Sequence, residues 1–134
     1  MVLVDTNILT FLLLDGPFSA DAHTLFERDH EWCSEGYILV ELTNVLTTTM
    51  RLRDLPLAKA RAVYAEAATL IQPGLVTLDH VEAMTIAHQL GITAYDARFI
   101  GAARELGTRL VTEDARLRRA APRLTQSIEH ALAN

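Results

Sequence analysis

Four carboxylates interrupt stretches that are otherwise apolar or helix-forming: Asp5 in VLVDTNIL, Glu41 in LVELTNVL, Asp96 in TAYDARF and Asp114 in TEDARL. Asp5 closes the apolar run Val2, Leu3, Val4, where an unpaired buried charge is expensive and needs water, a hydrogen-bonding loop or a cation. Asp114 follows RLVT through Glu113 and so occupies the same kind of strand-end position. Asp96 falls near the start of a helical pattern, whose positive dipole end tolerates a carboxylate. On a wheel of about 100° per residue Ile38, Leu42, Val45 and Leu46 form one stripe, and Glu41 lies roughly 90° from its centre, at the border of buried surface. Singly, each acid fits a cap or a solvated position. Gathered at one edge, the four would repel one another unless protonated, dispersed or neutralised. Hard, all-oxygen ligation of that kind suits Mg²⁺ or Mn²⁺.

The elements that must position these acids can be read from the apolar pattern. Short apolar segments at 2–5, 32–35, 75–78 and 109–112, with a weaker one near Leu124, read as strands, and helical patterns lie between them. That alternation predicts an α/β domain with a central, mostly parallel sheet flanked by helices. Segments 19–30, 37–51, 56–71, 79–90 and 94–106 are the predicted helices, with QSIEHALA a short final one. Pro56 suits a first helical position, Asp79 with Glu82 reads as a capping pair, and Gly91 and Gly107 suit C-terminal stops. In open α/β sheets ligands bind beyond the carboxyl ends of the strands, the edge where Asp5 and Asp114 fall.

The residues VDTNIL, the Glu in LVELTNVL, the Asp in TAYDARF and the TEDARL after a strand resemble the four acidic motifs of PIN-domain nucleases, especially VapC-like toxins. The resemblance covers roughly residues 2–120 and keeps the motif order. It implies a PIN-like, three-layer α/β/α fold over one domain at 1–134, with Asp5, Glu41, Asp96 and Asp114 as the acidic metal site. Within that set Asp5 and Asp96 are the first choice as direct ligands. Thr6, Asn7 and Thr112 match polar positions that support the site, and Asn44, one helical turn after Glu41, would lie beside that carboxylate and orient it. Glu113 is an extra acid outside the pattern, and Glu35 competes with Glu41 for its role. A cation there would assist attack by water on a phosphodiester while offsetting charge on the phosphate, with no protein nucleophile. The resemblance further implies an RNA substrate cut internally to a 5′-phosphate and 3′-hydroxyl, a small antitoxin partner and a homodimer.

A formal net charge of −5 argues at first against a polyanionic partner. The distribution reverses that objection: residues 1–67 hold ten acids against five Lys or Arg, whereas residues 68–134 hold seven of each. The four site carboxylates account for most of the excess. Arg116, Arg118 and Arg119, with Arg123 nearby, are candidate phosphate contacts, and Arg51 with Arg53 a second pair; each also fits a solvated helix face. A chain of 134 residues is one domain by length. It shows neither a basic leader nor an apolar run long enough to span a bilayer, and one cysteine, Cys33, excludes an internal disulfide, so a cytoplasmic setting with no membrane partner fits.

Phosphate-cradling, dinucleotide and nucleophile-elbow motifs are absent, and the histidines form no zinc pattern. Two rivals remain. In a haloacid-dehalogenase-like phosphatase Asp5 would be the nucleophile, but a second Asp belongs two residues on, where Asn7 stands. A receiver domain would want a strand-end Lys, and the only lysine, Lys59, sits in a helical pattern. The other rival is a catalytically silent RNA- or protein-binding module of the same fold, against which the complete acid set argues.

Overall fold

In the computed structural model, which describes residues 1–134, strands β1 (Val2–Val4), β2 (Trp32–Glu35), β3 (Leu75–Val76), β4 (Leu110–Val111) and β5 (Thr125–Gln126) form a single sheet in the order β3-β2-β1-β4-β5. Every pairing is parallel, with Leu3 opposite both Cys33 and Leu110. All-parallel strands are covered on both faces, which is why β1, β2 and β4 read as unbroken apolar runs. The chain winds outward from β1 to β3, then returns to the other side of β1 for β4 and β5. The point where that direction reverses lies between β1 and β4, and the Asp5 amide donates to the Val111 carbonyl there at 3.4 Å.

Helix α1 (Thr6–Leu13) packs against α2 (Ser19–Arg28), α3 (Tyr37–Arg53) and α4 (Leu57–Ile71), α3 packs against α4, and the C-terminal α8 (Ile128–Ala133) joins them against α2. A second group, α5 (His80–Leu90) and α6 (Ala94–Leu106), packs pairwise, with α6 against β2 and β4; α7 (Ala115–Ala120) lies by β5. No helix is long and apolar enough to cross a membrane. The apolar core runs through both groups: Leu3, Ile8, Leu42, Ile71, Ile100 and Leu110 are fully buried.

The predicted capping holds where it was specific. Asp79 accepts from the Glu82 amide, and Gly91 and Gly107 close α5 and α6 in the left-handed region that favours glycine. Elsewhere the boundaries move. The strands are shorter than the apolar segments predicted: β1 stops at Val4 because Asp5 caps α1, Leu78 is buried by packing outside β3, and beyond Val111 the buried Thr112 keeps only its amide bond to the Gln126 carbonyl at 2.9 Å. Pro56 caps α4 from outside rather than opening it, α2 ends at Arg28, and α3 runs on to Arg53. Helix α1 was not predicted: Asp5 is its N-cap, so strand passes to helix with no turn residues between. A short 3₁₀ turn at Gln72–Gly74 was also unforeseen; it presses on β2 where only glycine fits, since a Cβ on Gly74 would stand 2.4 Å from the Trp32 carbonyl oxygen.

Candidate active site

The carboxyl ends of β1 and β4 open into a cavity of about 280 Å³ whose lining includes Asp5, Glu41, Asp96 and Asp114, together with Asn7 and Asn44. Each acid arrives on a different element: Asp5 between β1 and α1, Glu41 one turn into α3, Asp96 in the first turn of α6, and Asp114 as N-cap of α7. Thr6 and the apolar Phe99 and Leu117 complete much of the wall. A larger cavity, about 830 Å³, lies between the end of α1 and the start of α4 and contains none of these four acids.

Asp5 and Asp114 are both caps. Asp5 Oδ1 accepts from the Ile8 amide at 3.1 Å, and Asp114 Oδ1 accepts from the Arg116 and Leu117 amides at 2.9 and 3.3 Å. Capping uses Oδ1 of each and leaves Asp114 Oδ2 without a backbone donor. Asp96 is not a cap; Thr93 takes that role by accepting from the Asp96 amide, which leaves the Asp96 carboxylate to the cavity. Buried Thr112 links the strand ends: its hydroxyl steadies the Asp5 carboxylate and its Oγ1 accepts from the Asp114 amide at 3.1 Å.

Electrostatic tension concentrates on Asp5, which is only 9% exposed. Burial, with smaller contributions from the charges of Glu41 and Asp114, pushes its carboxyl up to about 6, against the pull of Thr112 and the Ile8 amide. Burial and then the Asp114 charge also raise Asp96, opposed by its Thr93 hydrogen bond and by Arg116. As the side chains stand, no three Asp, Glu, His or Cys groups are close enough to enclose a metal ion. The donor chemistry nonetheless fits a hard divalent cation: the oxygens come from carboxylates that share one cavity and disfavour one another's charge, and neither His nor Cys lines it.

Several sequence expectations need correction in detail. The Thr6 hydroxyl donates to Glu41 Oε1, so Thr6 steadies Glu41 across α1 and α3, and not Asp5. Asn44 lines the cavity from an exposed position, and the hydrogen bond that orients Glu41 comes from Thr6 instead. Asn7 is likewise an exposed wall residue; the local donor to Asp5 is the Ile8 amide. Glu35 is no rival to Glu41: it is buried at the end of β2, accepts from the Tyr37 amide, and faces Arg98 at 3.6 Å. Glu113 ties the C-terminus down, accepting from the Ile128 amide at 2.8 Å and pairing with Arg118 at 3.4 Å. Arg118 also donates to the Thr112 carbonyl oxygen at 2.8 Å, so its guanidinium is held within the fold. Arg116 is different, with a side chain 83% exposed and 3.9 Å from Asp114 Oδ1; Arg119 is exposed on the same helix. No sequence signal joined Tyr37 to Tyr95, whose rings stack between the first turns of α3 and α6.

The fold and this constellation define a class. The PIN domain family model matches residues 2–122, and the chain belongs to that family, whose members are generally nucleases. No curated relative matches the sequence. The fold is similar to the crystal structure of PAE2754 from Pyrobaculum aerophilum, with a TM-score of 0.78 and 22% identity over 98% of this chain and 93% of that one. It is also similar to the crystal structure of FitAcB from Neisseria gonorrhoeae, with a TM-score of 0.71 and 17% identity over 97% of this chain and 99% of that one. Family membership weighs against the phosphatase and receiver readings of Asp5.

Proposed function

We propose that the chain is a Mg²⁺- or Mn²⁺-dependent endoribonuclease, the toxin of a toxin–antitoxin pair restrained by a small antitoxin protein. The observation that carries the nuclease reading is the convergence of Asp5, Glu41, Asp96 and Asp114 from four elements on one cavity at the sheet's switch point. RNA as substrate, the antitoxin and a homodimer rest on the resemblance of the four motifs to VapC-like toxins.

In this reading Asp5 and Asp96 would hold the cation, and Asp114 Oδ2, which has no backbone donor, would be a further carboxylate oxygen of the same cavity. A divalent cation held there supplies Lewis-acid stabilisation of the charge that builds on the attacked phosphate. Glu41 has Oε1 fixed by Thr6, so Oε2 is the atom placed to take a proton from an attacking water. Thr112 ties the Asp5 carboxylate to the backbone amide of Asp114 and so holds the two strand ends together. Arg116 meets a phosphate oxygen at the rim, and Arg118 serves the fold.

The test compares divalent-dependent RNA cleavage by the purified chain and by Asp96→Asn. Loss of at least about 100-fold in the variant, and abolition of wild-type cleavage by a chelator with recovery on adding Mg²⁺ or Mn²⁺, is the expected result. Equal activity of the two proteins, or cleavage that survives chelation, would sink the mechanism. A well-folded chain that binds RNA without cutting it would leave the silent binding module in its place.

A further inference from the structure

Tyr37 opens α3 and Tyr95 is the second residue of α6, so the two helices meet at their first turns across the carboxyl edge of the sheet. Their rings lie nearly parallel, with an interplanar angle of 14° and centroids 5.2 Å apart. Tyr95 nevertheless remains 59% exposed. One face of the ring lies against Tyr37, and more than half of the residue's surface is in water. Tyr95 immediately precedes Asp96 in α6, and Tyr37 lies one helical turn before Glu41 on the same face of α3, so the pair flanks two carboxylates of the cavity. Tyr37 belongs to the same neighbourhood, since burial and then the charge of Glu41 raise its phenol.

We infer that the Tyr37–Tyr95 stack is a platform on which one unpaired base of a single-stranded nucleic acid lies while the adjoining phosphate enters the acidic cavity. The inference rests on the nuclease reading for the location of the scissile phosphate. An exposed tyrosine alone says little, because much of any protein surface is apolar. The backing ring is the informative part. Tyr37 fixes the plane of Tyr95, so little side-chain freedom is lost when a third flat group joins the stack. Every base offers a π face, so such a platform accepts many sequences. Within a duplex that face is covered by neighbouring bases, so the platform selects single strands, loops or ends.

The experiment measures binding of an uncleavable single-stranded oligoribonucleotide, with phosphorothioate linkages and one 2-aminopurine, to wild type and to Tyr95→Ala, Tyr95→Phe and Tyr95→Trp. Thermal melts and size-exclusion profiles of all four proteins accompany it. Quenching of 2-aminopurine by wild type, Phe and Trp, with about tenfold weaker binding and lost quenching in Ala, is expected. A perfect duplex of the same sequence should bind wild type and Ala alike. Equal single-strand affinity of wild type and Ala, or a Phe variant as weak as Ala, would overturn the platform. So would a change in oligomeric state in Ala with nucleic-acid affinity intact, which would make the ring a protein contact. The nuclease reading fails separately: wild type that quenches through Tyr95 yet does not cleave unmodified RNA with divalent metal retains the platform and loses the chemistry.

Discussion

Replacing Asp5 by Asn should stabilise the metal-free protein, by an amount that depends on pH. The Asp5 carboxyl lies at about 6 in the folded chain against an ordinary aspartate value of 3.8, chiefly because burial penalises its charge. Below pH 3.8 it is protonated in both folded and unfolded chains, and the burial has no ionic penalty. Between 3.8 and about 6 the unfolded chain releases the proton first, so stability falls as pH rises. Above about 6 the full penalty stands, roughly 3 kcal/mol at 1.36 kcal/mol per pKa unit. Asn is nearly as good an N-cap as Asp and can still accept from the Ile8 amide, so the exchange removes the charge without removing the cap. In thermal melts with chelator, Asp5→Asn should exceed wild type by roughly 10 °C at pH 8, and by about 1 kcal/mol at pH 4.5. Adding Mg²⁺ at pH 8 should raise the wild-type midpoint and leave the variant almost unmoved, because a ligand stabilises only the state that binds it. A pH-independent difference, or a variant no more stable than wild type at pH 8, would refute the account of Asp5 as a desolvated charge.

Two further expectations concern the frame around the site. Arg98→Met should cost about 3–5 kcal/mol by leaving Glu35 buried without its cation, and adding Glu35→Gln should recover much of that loss; chemical denaturation of both single variants and the double variant measures the coupling. Gly74→Ala should cost about 3 kcal/mol in the same assay, because the new Cβ meets the backbone of Trp32 and Cys33 and neither can rotate away.

What local chemistry determines is legible in the sequence. The stops at Gly91 and Gly107 were legible because a helix needs a left-handed residue to close, and the Asp79 cap because its donor lies three residues away. Strand lengths were not, since apolarity reports burial while a ladder also needs a partner. Leu78 is buried outside β3, packed so close to α6 that a Cβ on Gly101 would meet it. Helix α1 was hidden by its shortness and apolarity: Ile8, Leu9 and Leu12 are buried with Phe11 and Leu13 packed beside them, and so short an apolar run after a strand does not declare itself helix rather than strand by period alone. The overlooked signal was Asp5 itself, an N-cap residue directly before that run. The types and order of the four acids were equally legible, but their hydrogen-bond partners were not. Thr6 to Glu41 and Glu113 to Ile128 join residues far apart in the chain, which only the sheet order brings together.

Capping and ligation are compatible at Asp5. A cap needs one acceptor oxygen aimed back along the helix, and Oδ1 fills it. The carboxylate as a whole still carries its charge into a place set by β1 and β4, where neighbouring strands and the capped end of α1 exclude most of the water. The Ile8 amide and the Thr112 hydroxyl reduce the resulting penalty, but burial outweighs both, and Glu41 and Asp114 add repulsion. A neutral Asn would cap as well, so the helix does not explain why the charge is there. The proposed cation does: it turns the repulsion among Asp5, Glu41 and Asp114 into shared attraction, and the free energy that burial withholds from the empty fold returns on binding. The strand-end strain at Asp5 is therefore the physical link between folding stability and the proposed activity.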